Sequence, residues 1–331
     1  MANCTDAPAA VASDAGVAGI GVLLSFIVTA VVAIGLSATL IFQEARGHSK
    51  PSVLRRKLLN AYSDQQILTG IGIQSVGLAK IDSMVPYHFF LIWMLSLLSM
   101  AVHNATLLAL VHDFRRDWVL RWLRQFLMFV NLALSCVYGV FILEAVTHKI
   151  NDSTFPIACV WQDVGDNPSA NSGGGGGVNV SLSFVGTIVV IAGNVIVFAL
   201  ATWYLHSRSQ RFYKTIQIAG LVLMTAIAIG AIVRVSLLAD AFASEPPITL
   251  RDNGEEQWSF GQLLSVGMLL LPLVSVIEIL RGEIRCAPPV ADAGDDKQRL
   301  LGDSELQSNP KVRASFQPNP FFGSQANLFK K

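Results

Sequence analysis

The chain has 331 residues, 52% hydrophobic and 14% charged, with a formal net charge of +1 and a mean hydropathy of +0.51. A soluble domain carries about 25% charged residues. A shortage this deep, gathered into long uncharged runs, excludes an ordinary soluble enzyme and predicts an all-α polytopic membrane bundle.

Crossing a bilayer takes roughly 20 apolar residues, and seven stretches qualify: about 15–42, 65–82, 87–111, 123–147, 181–205, 215–239 and 258–280. Residues 1–14, which hold Asp6 and Asp14 and neither Lys nor Arg, read as a short outer segment and not as a signal peptide. The first span exceeds the bilayer and is expected to tilt. Its Ser25, Thr29, Ala33 and Ser37 form a small-residue stripe for a neighbouring helix. The second span follows Ser63-Asp64-Gln65-Gln66, whose S-x-x-Q spacing predicts a capping box, with Asp64 in the first turn facing the helix dipole. Beyond it Gln66, Gly70, Gln74 and Gly77 share one face, which predicts a polar seam turned into the bundle.

The connection 148–180 contains Gly173–Gly177 and reads as a flexible tether within the transmembrane domain of 15–281. The polar tail 282–331 is expected to be disordered. It holds Cys286, at a palmitoylation-type position, and an acidic dileucine form at Asp296–Leu301. No internal repeat speaks for an inverted-repeat transporter.

Lys and Arg in the connections set the orientation. Twenty fall on one side, among them Arg46, Arg55, Arg56, Arg115, Arg124, Arg208 and the tail; Lys80, Lys149 and Arg251 fall on the other. The N-terminus is therefore expected outside or lumenal and the C-terminus cytoplasmic. This predicts a multi-pass protein of an endomembrane (endoplasmic reticulum or vacuole) or of the plasma membrane. Sequons at Asn3, Asn151 and Asn179 lie on the outer side, as do Cys4 and Cys159, which either pair or stand as two thiols.

Ionisable groups within spans are costly, so each is a functional candidate. Arg234 lies about 9 Å inside the sixth span at 1.5 Å per residue. Glu144, Asp240, His88 and Asp82 belong to the same outer level, where a structural Arg234–Glu144 pair is the bland alternative to a cavity. A deeper set comprises Gln74, His103, Asn104, Asn131 and Asn194, for which interhelical hydrogen bonding is the plain account. His103 adds the option of proton relay. Glu278 and Arg281 are spaced as a surface pair. Nucleophile elbows, metal-ligand spacings and dinucleotide fingerprints are absent, so no metal, cofactor or nucleic-acid partner is expected.

Leu59 to Gly72, with Ser63-Asp64-Gln65-Gln66 and Thr69-Gly70-Ile71, resembles a set of fungal multi-pass membrane proteins, mostly of unassigned activity. So do Tyr87-His88 and the segment His103-x-Ala105-Thr106-Leu107. A similarity to membrane-bound terpene cyclases of meroterpenoid pathways implies acid-initiated cyclisation of an isoprenoid-type substrate within secondary metabolism. That chemistry needs a carboxylic acid in a dry pocket. Glu144, Asp240 and Asp64 are the candidate acids, with His88 and His103 beside them. Gln74, Asn104, Asn131, Asn194, Arg234 and Trp93 are the candidate substrate-binding residues, and membrane lipid and a lipophilic small molecule are the expected partners. The alternative is a receptor-like or structural seven-helix protein without catalysis.

Overall fold

A computed structural model of the chain describes residue 4 and residues 8–46, 53–114, 118–148, 154–161, 176–206, 212–242 and 248–281. The helices are α1 (Ile20–Ala45), α2 (Val53–Ala79), α3 (Pro86–Ala109), α4 (Val111–Phe114), α5 (Trp118–Thr147), α6 (Gly176–His206), α7 (Tyr213–Leu238), α8 (Phe260–Met268) and α9 (Leu271–Leu280). Among the described residues there is no strand, only an isolated bridge between Val11 and Leu250. Five helical segments are long and apolar enough to cross a membrane: Ile20–Ala45, Pro86–Ala109, Arg121–Thr147, Phe184–His206 and Tyr213–Leu238.

Helix α3 is the axis of the bundle. Its apolar window is wholly buried, and α1, α2, α5, α6 and α7 all pack against it. A helix apolar on every side belongs in a core, and its polar residues Ser96, Ser99, His103 and Asn104 are all fully buried. Pro86 starts it at a position where the missing N–H costs nothing, after an extended Val85. On α1 the small-residue stripe is buried as expected, Ser25, Thr29, Ala33 and Ser37 all facing neighbours.

Two expectations are corrected. Helix α2 begins at Val53, so Ser63 is an interior helical residue and not a cap. The basic stretch ahead of Ser63 simply continues the helix: Arg56 pairs with Asp113, while Asn60 and Asp64 receive Arg124. Side-chain partners across the helix surface thus replace the end that a capping box would have marked. The expected last span is two helices, broken after Met268 by Leu269 and Leu270. Pro272 is the reason, since it offers no N–H to the Met268 carbonyl and disfavours helical geometry in the residue before it. The turns there close by short bonds from Leu270 N–H to Gly267 and from Leu273 N–H to Leu270.

At the end where α1 and α3 begin, the connections form a cap. Val11 N–H donates to the Thr249 carbonyl and the Val11 carbonyl accepts from Arg251 N–H, and Ile157 N–H donates to the Met84 carbonyl. Lys80 pairs with Asp14 at 2.7 Å. A Cys4–Cys159 disulfide, with Cα atoms 5.7 Å apart, fixes the N-terminal segment to the connection after α5.

Asn3, Asn151, Cys286, the dileucine form and most of the 148–180 tether lie outside the described residues, as do the side chains of Asn179 and Glu278. Helix α6 takes in Gly176 and Gly177, the end of the glycine run.

Candidate functional site

The expected seam is present. Gln74 donates to the Asn131 Oδ1 at 2.6 Å and to the Gly70 carbonyl at 2.9 Å. Asn131 donates on to the Ser99 Oγ at 3.2 Å, and Ser99 meets His103 Nε2 at 2.9 Å and the Gln66 carbonyl at 2.9 Å. Tyr138, on α5, donates to the Gln74 carbonyl at 2.7 Å and stacks on Phe89. Gln74, Ser99, His103 and Asn131 are fully buried. The network joins α2, α3 and α5 and leaves no room for a ligand: a Cβ on Gly70 would fall 2.5 Å from the Ser99 Oγ. Asn104 stands apart, donating to the Met224 sulfur on α7 at 3.4 Å, and Asn194 bonds the Val190 carbonyl of its own helix.

On the other side of α3 the packing opens. A groove of about 610 Å³ lies between α3, α6 and α7, within the range of about 300–1,000 Å³ common for small-molecule sites. Phe90, Trp93, Met94 and Leu97 give it one wall, spaced three and four apart along α3. Gly186, Thr187 and Val190 come from α6, and Ala226, Ile227, Gly230 and Ala231 from α7. Arg234 is the one charged residue in its lining. The expected Arg234–Glu144 pair is not made: Glu144 meets His148, one turn on, at 3.2 Å. Gly186 and Gly230 face open space, so the groove is wide at both.

A buried carboxylate sits at the capped end. Glu255 has no exposed surface; its Oε1 lies 2.6 Å from His88 Nε2 and its Oε2 accepts from the Tyr87 hydroxyl at 3.1 Å. The Tyr87 oxygen in turn accepts the Asp240 N–H at 3.0 Å, and the Glu255 carbonyl accepts the first N–H of α1 from Ile20. Tyr87 precedes Phe90 by three residues and therefore stands one turn above the groove on the same face of α3. Burial, then the nearby Glu255 and Glu256, pushes the Asp240 carboxyl above its ordinary value.

Of the sequence-derived acids, Asp240 thus belongs to the capped end, its backbone N–H on Tyr87, Glu144 to a pair on α5, and Asp64 to Arg124 at the far end. Gln74, His103 and Asn131 share the seam, whereas Trp93 and Arg234 share the groove. Trp93 is buried, its Nε1 meeting no acceptor among the described residues. Glu255 was missed. In sequence it is one of two adjacent acids in a polar connection, where a solvated loop is the natural reading.

No protein-family model matches the chain, and neither a curated protein nor a solved structure is similar to it.

Proposed function

We propose that this is an integral membrane protein of seven spans that binds an elongated lipophilic molecule with an anionic or strongly polar end in the groove between α3, α6 and α7. In this reading α2 and the broken pair α8–α9 supply the two crossings beyond the five apolar helices. The capped end, with its disulfide, faces the oxidising outer side, and the arginine-rich end, with Arg56 and Arg124 paired to Asp113 and Asp64, faces the cytoplasm. Outward-facing Val185, Val189, Ile196, Val222, Ile229 and Leu237 on α6 and α7 are exposed, as lipid contact requires.

The observation that carries the proposal is Arg234, the one charged residue of a mostly apolar groove, with no ion-pair partner among the described residues. A guanidinium in low dielectric draws a carboxylate or phosphate by paired hydrogen bonds, while the α3 aromatics cover the apolar body. Binding of radiolabelled farnesoic acid and of its methyl ester to the purified full chain tests this. Wild type is expected to prefer the acid, and Arg234→Gln to bind both alike. Gly230→Phe, which grows into open space, is expected to abolish both. Undiminished binding by Gly230→Phe would overturn the assignment.

The cyclase reading draws support from one further feature: the Asp240 carboxyl is pushed above its ordinary range, and the Asp240 backbone N–H donates to Tyr87, one turn above the groove. Asp240 is then the acid of choice, ahead of Glu144 and Asp64. Turnover of a prenylated substrate by microsomes carrying Asp240→Asn, Glu144→Gln or Asp64→Asn decides it. Full activity in all three ends the cyclase reading and leaves the binding site standing.

A further inference from the structure

A second groove, of about 230 Å³, lies between α1 and α2 and reaches Ser265 of α8. Its lining contains no charged residue, and its polar groups have one property in common. Each hydroxyl has already given its proton to its own helix: Ser25 to Val22, Thr29 to Ser25, Thr69 to Gln65 and Ser265 to Gly261, all at 2.7 to 2.9 Å. The Gln66 amide likewise donates across to the Phe26 carbonyl at 3.4 Å. What the hydroxyls retain is lone pairs, while each glutamine amide keeps an N–H donor beside its oxygen.

Two acceptors in the lining are left wholly unanswered. The Oε1 atoms of Gln65 and Gln66 are buried and receive no hydrogen bond from the described residues, and Gln66 as a whole is 2% exposed. A buried carbonyl oxygen without a donor costs on the order of 1–3 kcal/mol. A visitor that brings a donor recovers that cost once a glutamine side chain turns toward it. An ammonium would also donate, but the lining holds no carboxylate to balance it, and an unpaired charge is far costlier to bury than a hydroxyl. The rest of the lining is apolar, with Phe26, Ile73 and Val76 along its length.

We infer that the α1–α2 groove is a binding site for a lipophilic alcohol, whose hydroxyl donates to the acceptor cluster around Gln65, Gln66 and Thr69 while its chain runs along Ile73 and Val76. The site shares no residue with the Arg234 groove and does not depend on that assignment. The two sites select opposite partners: one offers donors to an anion, the other offers acceptors to a neutral hydroxyl.

The test is photolabelling of the full chain in nanodiscs by diazirine-tagged 1-dodecanol and by the matching dodecyl methyl ether, which cannot donate. Competition by unlabelled 1-dodecanol and mass-spectrometric mapping complete it. Saturable labelling of α1 and α2 peptides is expected, with the ether about tenfold weaker, as one hydrogen bond of about 1.4 kcal/mol implies. Gly72 lines the groove and faces open space, so Gly72→Phe is expected to remove that labelling and to leave farnesoic acid binding intact. The triple variant Gln65→Leu, Gln66→Leu and Thr69→Val is expected to bring alcohol and ether to parity without weakening the ether, a result misfolding would not give. Equal labelling by alcohol and ether in wild type, unsaturable labelling, or full labelling of Gly72→Phe would each overturn the inference.

Discussion

Gly70 and Gly77 on α2, and Gly186 and Gly230 on α6 and α7, are the same residue used in opposite ways. A side chain on Gly70 would strike Ser99, and one on Gly77 would strike the Tyr138 hydroxyl, whereas Gly186 and Gly230 have nothing beside them. On its α2 and α5 side, α3 is held by a closed polar network; on its α6 and α7 side it fronts an apolar groove. Buried polar groups seek partners on neighbouring helices, which draws backbones together, although Gln66 Oε1, Gln74 Oε1 and His103 Nδ1 of the seam meet none among the described residues. Apolar walls carry no such obligation and can stand apart, leaving volume for a guest.

The contrast can be broken most violently at Gly77. Gly77→Val forces the Tyr138 hydroxyl off the Gln74 carbonyl and is expected to cost about 3 kcal/mol, read as loss of monodisperse protein in a detergent thermal-stability assay. Next in size is Gln74→Leu, which leaves Asn131 without its strongest partner and is expected to cost about 2 kcal/mol. Adding Asn131→Leu should cost less than its own single substitution, because the pair acts as a unit; strict additivity would show the network to be a set of independent contacts. On the groove side, Gly186→Phe and Gly230→Phe should change stability by no more than about 0.5 kcal/mol while removing ligand binding. A large loss of stability there would make the groove a packed interface like the seam.

The smallest effect concerns pH at the capped end. Asp240 has its folded-state pKa raised by burial and by Glu255 and Glu256. The folded protein therefore holds this proton more tightly than the unfolded chain, and stability falls as pH rises through the carboxylate range from the unfolded value to the folded one. Asp240→Asn should flatten that slope, as followed by thermal unfolding across pH 4 to 7 in steps of roughly one unit. An unchanged slope would assign it to other groups.

How much of this was readable beforehand follows from the range of each interaction. The seam was visible because Gln66, Gly70, Gln74 and Gly77 repeat with the helix period, and local periodicity survives folding. The partners of that seam, Ser99 and Tyr138, were not, since a serine and a tyrosine in an apolar run carry no mark of which helix they will face. The start of α2 was misread because an S-x-x-Q spacing arises inside helices as readily as at their ends, and the residues that keep the helix going, Asp113 and Arg124, lie far along the chain. Arg234 stood out in sequence as a charge within an apolar run, but its surroundings depend on how far α6 stands from α7. Glu255 shows the limit: its burial is created by α1, α3 and the connection after α7 closing around it, and no local pattern encodes that.

The Cys4–Cys159 bond also imposes an order of events. It links positions 155 residues apart and, in the orientation proposed above, cannot form until the segment after α5 has crossed to the outer side, yet it requires nothing of α6 or α7. On that proposed topology, a disulfide isomerase acting as soon as Cys159 emerges would close a ring around the first five helices while the remaining walls of the Arg234 groove are still to be synthesised. The sealed half of the molecule can be locked during translation, and the half that takes a guest is completed against it last.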